Sequence, residues 1–336
     1  MRKLATIRRV DDVRPIDGAD RIELAWVGGW KCVIKKGEFK PGDIAVYCEI
    51  DSFLPIRDEF EFLRASSLKF IEDDDGGRRE GFRLRTVKLR GQISQGLLLP
   101  IDIVPGGPHA IGDDVTEALG IVKYEAPIPS SLSGEVVGGF PSFIEKTDEE
   151  RIQNLSDAFD GFADRTFYLS EKLDGTSFTA YMHEGRFGVC GRNYELSRSE
   201  RNSHWRVAVR TDLQTGLETL GRSIAIQGEL IGPKIQGNRY ALQSPMVRVF
   251  NVYDIDAAAY VAKSEMESLC ETLGLQTVPP LGVSDRPETI DAVLSAAEGK
   301  SVLNSKVERE GVVWVSDSPT RVSFKAISNR FLAKAD

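Results

Sequence analysis

One short stretch, Glu171-Lys172-Leu173-Asp174-Gly175-Thr176-Ser177, decides how the second half of the chain is interpreted. The apolar run before it predicts a strand, and Asp174-Gly175 predicts a tight turn directly after that strand. Lys172 is therefore expected at a strand end, with its side chain lifted into a cleft. A lysine amine attacks an electrophile only when deprotonated, so such a site must lower its proton affinity through burial, cations or a metal ion. The alternative is an exposed lysine in a hairpin turn.

Further short motifs follow Lys172, each with a side chain suited to nucleotide binding. They are Gly191-Arg192-Asn193, Gln227-Gly228-Glu229-Leu230, Phe250 to Ile255, Glu310-Gly311-Val312-Val313 and Ser323-Phe324-Lys325. The gaps are 57 residues from Lys172 to Glu229, 81 more to Glu310 and 15 more to Lys325. Singly, each has a plainer interpretation, such as a surface ion pair, a solvated turn or a core aromatic. Together and in order, they indicate one shared site.

This series resembles the motifs of the covalent nucleotidyltransferases, which are the ATP-dependent DNA ligases, the RNA ligases and the mRNA capping enzymes. The resemblance implies that Lys172 attacks ATP and carries AMP, that Lys325 contacts the α-phosphate, and that Glu310 holds Mg²⁺ or Mn²⁺ through its water shell. It implies ATP contacts for the remaining motif residues as well. These are Glu171 near the adenine edge, Glu229 at the ribose, Phe250 against the adenine ring, and Arg192 and Asn193 at the ribose or the RNA end.

The last motif departs from the pattern of many RNA ligases, which have two lysines separated by one residue. Ser323 stands where the first lysine is expected. One phosphate contact is therefore predicted to be missing, or to come from another residue such as Lys306 or Arg309.

Residues 1–125 have the pattern of a small β-barrel, because short apolar stretches alternate with turn signals. Examples are Ile22 to Val27 before Gly28-Gly29, and Ile44 to Ile50 after Pro41-Gly42-Asp43. We therefore predict an α+β protein with an OB-like β-barrel module over residues 1–125. A linker rich in Pro, Ser and Gly is predicted over 126–145, and a mixed α/β adenylyltransferase domain with antiparallel sheets over 146–336.

A helix is predicted at the start of the second domain. Thr147 with Glu150 three residues later has the spacing of a capping box. Ile152, Leu155 and Phe159 are spaced for one face of that helix.

The order of the modules narrows the resemblance. DNA ligases and capping enzymes place an OB barrel after the last motif, whereas only 11 residues follow Lys325 here and the barrel-like region comes first. This order is similar to the RNA ligases typified by the Deinococcus and Naegleria enzymes, and residues 140–154 resemble the segment before the nucleophile in RNA ligases. The resemblance implies sealing of 3′-OH/5′-phosphate breaks, preferably nicks in duplex with an RNA 3′-OH strand. The alternatives are a DNA ligase, a GTP-using capping enzyme and an inactive binding module.

Composition and charge set the remaining expectations. The chain has a net charge of −8 and a pI of about 5.2, which argues weakly against nucleic acid as a partner. Basic residues are nevertheless concentrated in one short stretch of the sequence. We predict that they form a nucleic-acid-binding surface, and the alternative is a solvated basic face. Its residues are Arg83, Arg85, Lys88 and Arg90. With no membrane-length apolar run and no secretory signal, a cytoplasmic monomer that binds RNA or an RNA/DNA nicked duplex is expected.

Overall fold

The structure, a computed structural model, describes residues 3–72, 77–124, 134–156, 158–316 and 320–334. The chain divides into two units, residues 1–129 with 332–336, and residues 130–331. Within the described residues, no helix has the length and apolar character needed to cross a bilayer.

The first unit is built almost entirely from β-strands. Its elements are β1 Ala5–Arg9, β2 Asp12–Pro15, β3 Ile22–Val27, β4 Trp30–Lys35, β5 Ile44–Cys48, β6 Ser52–Pro55, α1 Arg64–Ser67, β7 Leu68–Glu72, β8 Arg78–Arg83, β9 Val87–Leu89, β10 Gln92–Ser94, β11 Leu97–Pro100 and β12 Val122–Lys123. Short 3-10 helices cover Asp58–Leu63 and Ile101–Ile103. The strands pair in the orders β1-β5-β11, β2-β3-β4, β9-β10 and β12-β6-β8-β7. Trp30, Tyr47 and Phe53 are fully buried among them.

The second unit mixes strands and helices. Its elements are β13 Val136–Gly139, β14 Thr166–Lys172, β15 Thr176–His183, β16 Arg186–Cys190, β17 Tyr194–Leu196, α2 Ser203–Arg210, α3 Leu213–Leu220, β18 Ile224–Ile231, β19 Met246–Asp254, β20 Ala259–Tyr260, α4 Lys263–Thr272, β21 Gln276–Thr277, β22 Pro280–Asp285, α5 Ile290–Ala296, β23 Gly311–Ser316, β24 Val322–Ile327 and α6 Asn329–Lys334, which extends into the tail assigned to the first unit. One sheet has the order β13-β17-β16-β15-β18-β19-β20, with β21 also beside β19, and the other has the order β22-β14-β23-β24. Apart from β19 with β21, neighbouring strands are antiparallel, so the predicted α+β class with antiparallel sheets is confirmed.

The sheet that carries Lys172 separates an apolar face from a polar one. Because strand side chains alternate, Phe167, Trp314 and Phe324 all point to one face, where they form a buried core. Lys172 and Lys325 belong to the opposite face. Because of this alternation, the two lysines project from the same face of the sheet.

Part of the segment predicted as a linker, residues 126–145, has regular structure. Residues 126–133 lie outside the described residues. Residues 136–139, however, form strand β13, which pairs with β17 and belongs to the second unit. Val136 packs against the core of that unit, so the glycines here belong to an edge strand and not to a free connection.

The helix predicted at Thr147 is wrong. Residues 147–150 have no regular structure, and two 3-10 helices, Ile152–Leu155 and Phe159–Phe162, follow. The backbone carbonyl of Glu150 accepts a hydrogen bond from Lys325 N at 2.8 Å, and the Glu150 carboxylate accepts from Asn154. These contacts replace the capping box, although Ile152 and Phe159 are buried as the apolar spacing suggested.

Candidate active site

A cavity of about 410 Å³ opens in the second unit and is lined by strands of both sheets. The lining comes from β14, β15, β18 and β19, from β23 and β24, and from residues 147–149. This volume lies in the range of small-molecule binding sites. The cavity is therefore the candidate site, and it gathers residues that are far apart in the sequence.

Lys172 ends β14 and points into this cavity. Its Nζ donates a hydrogen bond to Glu310 Oε1 at 2.7 Å, and the two side chains are only 26% and 16% exposed. Close backbone contacts fix the surroundings. A Cβ at Gly175 would lie 2.4 Å from the Leu230 carbonyl oxygen, and one at Gly311 would lie 2.2 Å from the Ala326 carbonyl oxygen. The glycines beside Lys172 and Glu310 therefore allow neighbouring strands to approach.

Further carboxylates surround the lysine. Burial raises the pKa of Glu229 to about 7, with Lys172 opposing the shift, while the carboxylate accepts a hydrogen bond from the Gly175 backbone. Burial also raises the pKa of Asp174 to about 6, and the charge of Glu310 acts in the same direction. Such shifts are typical of functional sites, because negative charges are crowded away from water.

The pKa of Lys172 shifts in the direction opposite to the one expected from the sequence. Burial lowers the pKa of Lys172 as predicted, but Glu310 and Glu229, with a smaller effect of Asp174, outweigh it and raise the pKa overall. The side chains alone therefore hold Lys172 as an ammonium. A positive charge must offset these carboxylates before the amine can attack.

The carboxylate cluster fits a divalent cation. Glu310 Oε2 is buried and has no hydrogen-bond partner among the described residues. The same residues contain no group of three or more His, Cys, Asp or Glu side chains arranged to enclose a metal. Mg²⁺ and Mn²⁺ keep water and phosphate ligands and need few protein carboxylates, so the unpaired oxygen of Glu310 is the candidate contact for such an ion.

Lys325 lies on the same face of the sheet as Lys172. Its Nζ lies 3.2 Å from Asp148 Oδ1, and Asp148 Oδ2 lies 3.2 Å from Arg192 Nη2. All three residues line the cavity. The structure thus brings the predicted phosphate contact and one predicted ribose contact together, through an aspartate that sequence reasoning did not assign to the site.

Only some of the other residues predicted to contact ATP line the cavity. Phe250 lines the cavity with Val278 and Val313. Glu171 also lines it, but its carboxylate accepts a hydrogen bond from the Val302 backbone at 2.8 Å, so a nucleotide contact by Glu171 stays a prediction. Asn193 is not among the described residues that line the cavity.

The two residues expected to replace the missing lysine at Ser323 do not lie at the cavity. Neither Lys306 nor Arg309 is among the described lining residues of the cavity. Arg321, two residues before Ser323, donates hydrogen bonds to Glu149 Oε1 at 3.3 Å and Asn251 Oδ1 at 3.2 Å. Glu149 and Asn251 both line the cavity. Strand alternation was the signal that could have identified Arg321, because residues two apart share a face.

The predicted nucleic-acid surface belongs to the first unit. Arg85, Lys88 and Arg90 are exposed around the β9–β10 hairpin. Arg83 differs, because its guanidinium pairs with Asp51 at 3.1 Å and lies over the Tyr124 ring at 4.5 Å. Three of the four predicted cations are thus exposed, although Lys88 Nζ also donates a hydrogen bond to the Ala333 carbonyl at 3.3 Å.

A largely buried lysine in a cavity between antiparallel sheets, beside a carboxylate cluster and a second lysine, is the arrangement expected of a nucleotidyltransferase-type enzyme. The sequence profile described as RNA ligase matches residues 165–327, and a profile described as an OB-fold domain matches residues 4–101. A comparison with curated proteins finds no match.

Solved structures extend the likeness to nearly the whole chain. The chain is 45% identical to Naegleria gruberi RNA ligase, which has been solved as a lysine-to-alanine mutant with ATP and Mn at a TM-score of 0.85, covering 99% of both chains. The same enzyme with PPi gives 45% identity, a TM-score of 0.84 and 99% coverage of both chains. A lysine-to-methionine mutant with AMP and Mn gives the same identity and coverage, with a TM-score of 0.85. The chain belongs to the RNA ligase family.

Proposed function

We propose that this RNA ligase is ATP-dependent and seals 3′-OH/5′-phosphate breaks through an AMP carried on Lys172. The observation that carries this proposal is the placement of Lys172 Nζ, 2.7 Å from Glu310 Oε1 inside a cavity large enough for a nucleotide. Naegleria gruberi RNA ligase, similar over its full length, has been solved with ATP and Mn and with AMP and Mn.

In the first step, Lys172 Nζ attacks the α-phosphorus of ATP, a P–N bond forms and the bond to pyrophosphate breaks. The amine must lose a proton, and the Glu310 carboxylate is the hydrogen-bond acceptor already in contact with it. Lys325 stabilises the negative charge on the α-phosphate. Glu229 and Arg192 hold the ribose, and Phe250 packs against the adenine.

A divalent cation completes the site. When bound near Glu310, Mg²⁺ or Mn²⁺ neutralises carboxylate and phosphate charge and so favours the neutral amine of Lys172. The role of Glu310 is to hold this ion through its water shell.

In the second step, AMP moves from Lys172 to the 5′-phosphate of the nucleic acid, so the P–N bond breaks and a new phosphoanhydride forms. In the third step, the 3′-OH attacks the activated 5′-phosphate, and AMP leaves. We expect Lys325 to stabilise phosphate charge in each step, because all three reactions would occur at phosphorus atoms in one cavity.

The preferred substrate is a nick in duplex with an RNA 3′-OH strand, and the protein acts as a cytoplasmic monomer. Exposed Arg85, Lys88 and Arg90 supply positive charge for the phosphate backbone despite the acidic chain. The four cysteines are all buried free thiols, which suits a reducing compartment.

A matched panel of nicked duplexes tests the substrate. The strands differ only in one sugar, ribose or deoxyribose, at the 3′-OH, and the same strands are supplied unpaired. We expect the fastest sealing for a ribose end at a nick. Equal rates with both sugars would favour a DNA ligase, and faster joining of unpaired strands would remove the nick from the proposal.

A further inference from the structure

The charge of Lys325 depends on a small set of neighbours. The side chain is 18% exposed and belongs to the cavity face of β24. Burial lowers the pKa of Lys325, Asp148 opposes this effect, and Lys172 and Arg151 add to the lowering. The net direction is downward, so the lysine would lose its proton more readily than an exposed one.

Asp148 is the carboxylate that counters this tendency among the described groups acting on Lys325. Its two oxygens contact different cations, Oδ1 at Lys325 and Oδ2 at Arg192, each at 3.2 Å. Lys325 belongs to β24, whereas Arg192 follows β16 in the other sheet. One aspartate therefore links both walls of the cavity through two residues assigned to the nucleotide.

The segment that carries Asp148 is itself attached to β24. Lys325 N donates to the Glu150 carbonyl at 2.8 Å, and Arg151 forms a parallel bridge with Lys325. The position of Asp148 relative to Lys325 is thus fixed by backbone contacts as well as by charge.

We propose that Asp148 is a positioning residue, which keeps Lys325 protonated and directed into the cavity and holds Arg192 beside it. The inference rests on the proposed role of Lys325 at the α-phosphate. A lysine stabilises a developing oxyanion only while it is charged. An opposite charge within hydrogen-bond distance favours the charged form, whereas burial and two nearby cations disfavour it.

The test is the pH dependence of self-adenylylation with α-labelled ATP in Asp148→Asn. Asparagine keeps the size of the side chain and removes its charge. We expect the alkaline limb of the profile to move to lower pH by about one unit, which is the smaller end of the effect of an opposite charge. At a pH above the new limb, the rate falls about tenfold relative to wild type.

A second pair of variants separates this role from a merely structural one. Arginine stays protonated throughout the accessible range, so Lys325→Arg and Lys325→Arg/Asp148→Asn should share one profile without the alkaline limb. Glu149→Gln is the matched control, because Glu149 contacts Arg321 and not Lys325. Its alkaline limb should match that of wild type.

The outcomes are distinct. An alkaline limb in Asp148→Asn that matches wild type overturns the inference, and so does an equal shift in the Lys325→Arg background. If Lys325→Arg is inactive, an NMR titration of lysine side chains replaces the activity profile, and Lys325 is assigned by the signal that is missing in that variant. A Lys325 pKa that is equal in wild type and Asp148→Asn then overturns the inference. Wild-type enzyme that takes no label at all contradicts the proposed function instead.

Discussion

The positive charges of the two units differ in their surroundings. In the second unit, Lys172 and Lys325 are largely buried, lie next to carboxylates and have shifted pKa values. In the first unit, Arg85 and Lys88 are exposed to water. A buried charge acts strongly on its neighbours because water screens it little, whereas exposed charges are screened by salt. We therefore expect single substitutions to have large effects in the cavity and small, additive effects on the surface of the first unit.

The largest loss of activity is expected on substitution of Lys325. Lys325→Ala should lower self-adenylylation about 10²–10³-fold, which is typical for the loss of one group that stabilises transition-state charge. Single-turnover labelling measures this step. Lys300→Ala is the matched control, because Lys300 is 51% exposed and pairs with Glu308 away from the cavity. A loss of less than tenfold at Lys325 would remove it from the phosphate site.

An intermediate effect on stability is expected at Glu229. Its pKa of about 7 is above the ordinary value of 4.5, so the folded state holds the proton more tightly than the unfolded state. The raised pKa does not lower the free energy of unfolding at low pH, but the destabilisation grows as the pH rises from about 4.5 to 7. Glu229→Gln should therefore raise Tm by several degrees at pH 8 and by less at pH 5.

Thermal unfolding of metal-free protein at both pH values checks this sign. Activity of the same variant should fall, because the ribose contact loses its charge. A Glu229→Gln variant whose Tm gain is larger at pH 5 than at pH 8 would contradict the account of crowded carboxylates.

The smallest effects are expected in the first unit. Arg85→Ala and Lys88→Ala should each weaken RNA binding several-fold and reduce the slope of log K against log salt by about one per phosphate contact. Sealing should suffer more than self-adenylylation. Arg57→Ala serves as the control, since Arg57 already pairs with Glu59 at 2.8 Å. Equal losses in both reactions would give these cations a structural role or one in nucleotide transfer.

The sequence was most informative where function depends on short motifs. Lys172, Glu229, Glu310 and Lys325 were predicted from their order, and all four line one cavity. The strand Gly311–Ser316 and the helix Lys263–Thr272 have regular patterns of their own. Such elements are predictable because the information is local.

Contacts between distant residues were not predictable in the same way. Asp148 lies within the segment predicted to start a helix, because Thr147 and Glu150 have the spacing of a capping box. Its actual partner, Lys325, lies 177 residues later in the chain. Long-range ion pairs override such weak local preferences, and a single sequence holds no sign of them. Arg321 differs, because its spacing of two residues from Ser323 was a local signal of a shared face, although the sequence favoured neither Arg321 nor the distant Lys306 and Arg309 on contacts alone.

The central claim is that Lys172 carries the nucleotide. The most direct measurement incubates wild type and Lys172→Ala with α-labelled ATP or GTP and a divalent metal, followed by a denaturing gel. We predict label from ATP that stays on wild type and is absent from Lys172→Ala. Label from GTP would indicate a capping enzyme, label retained by the variant would place the nucleophile elsewhere, and no label on wild type from either nucleotide would contradict the account.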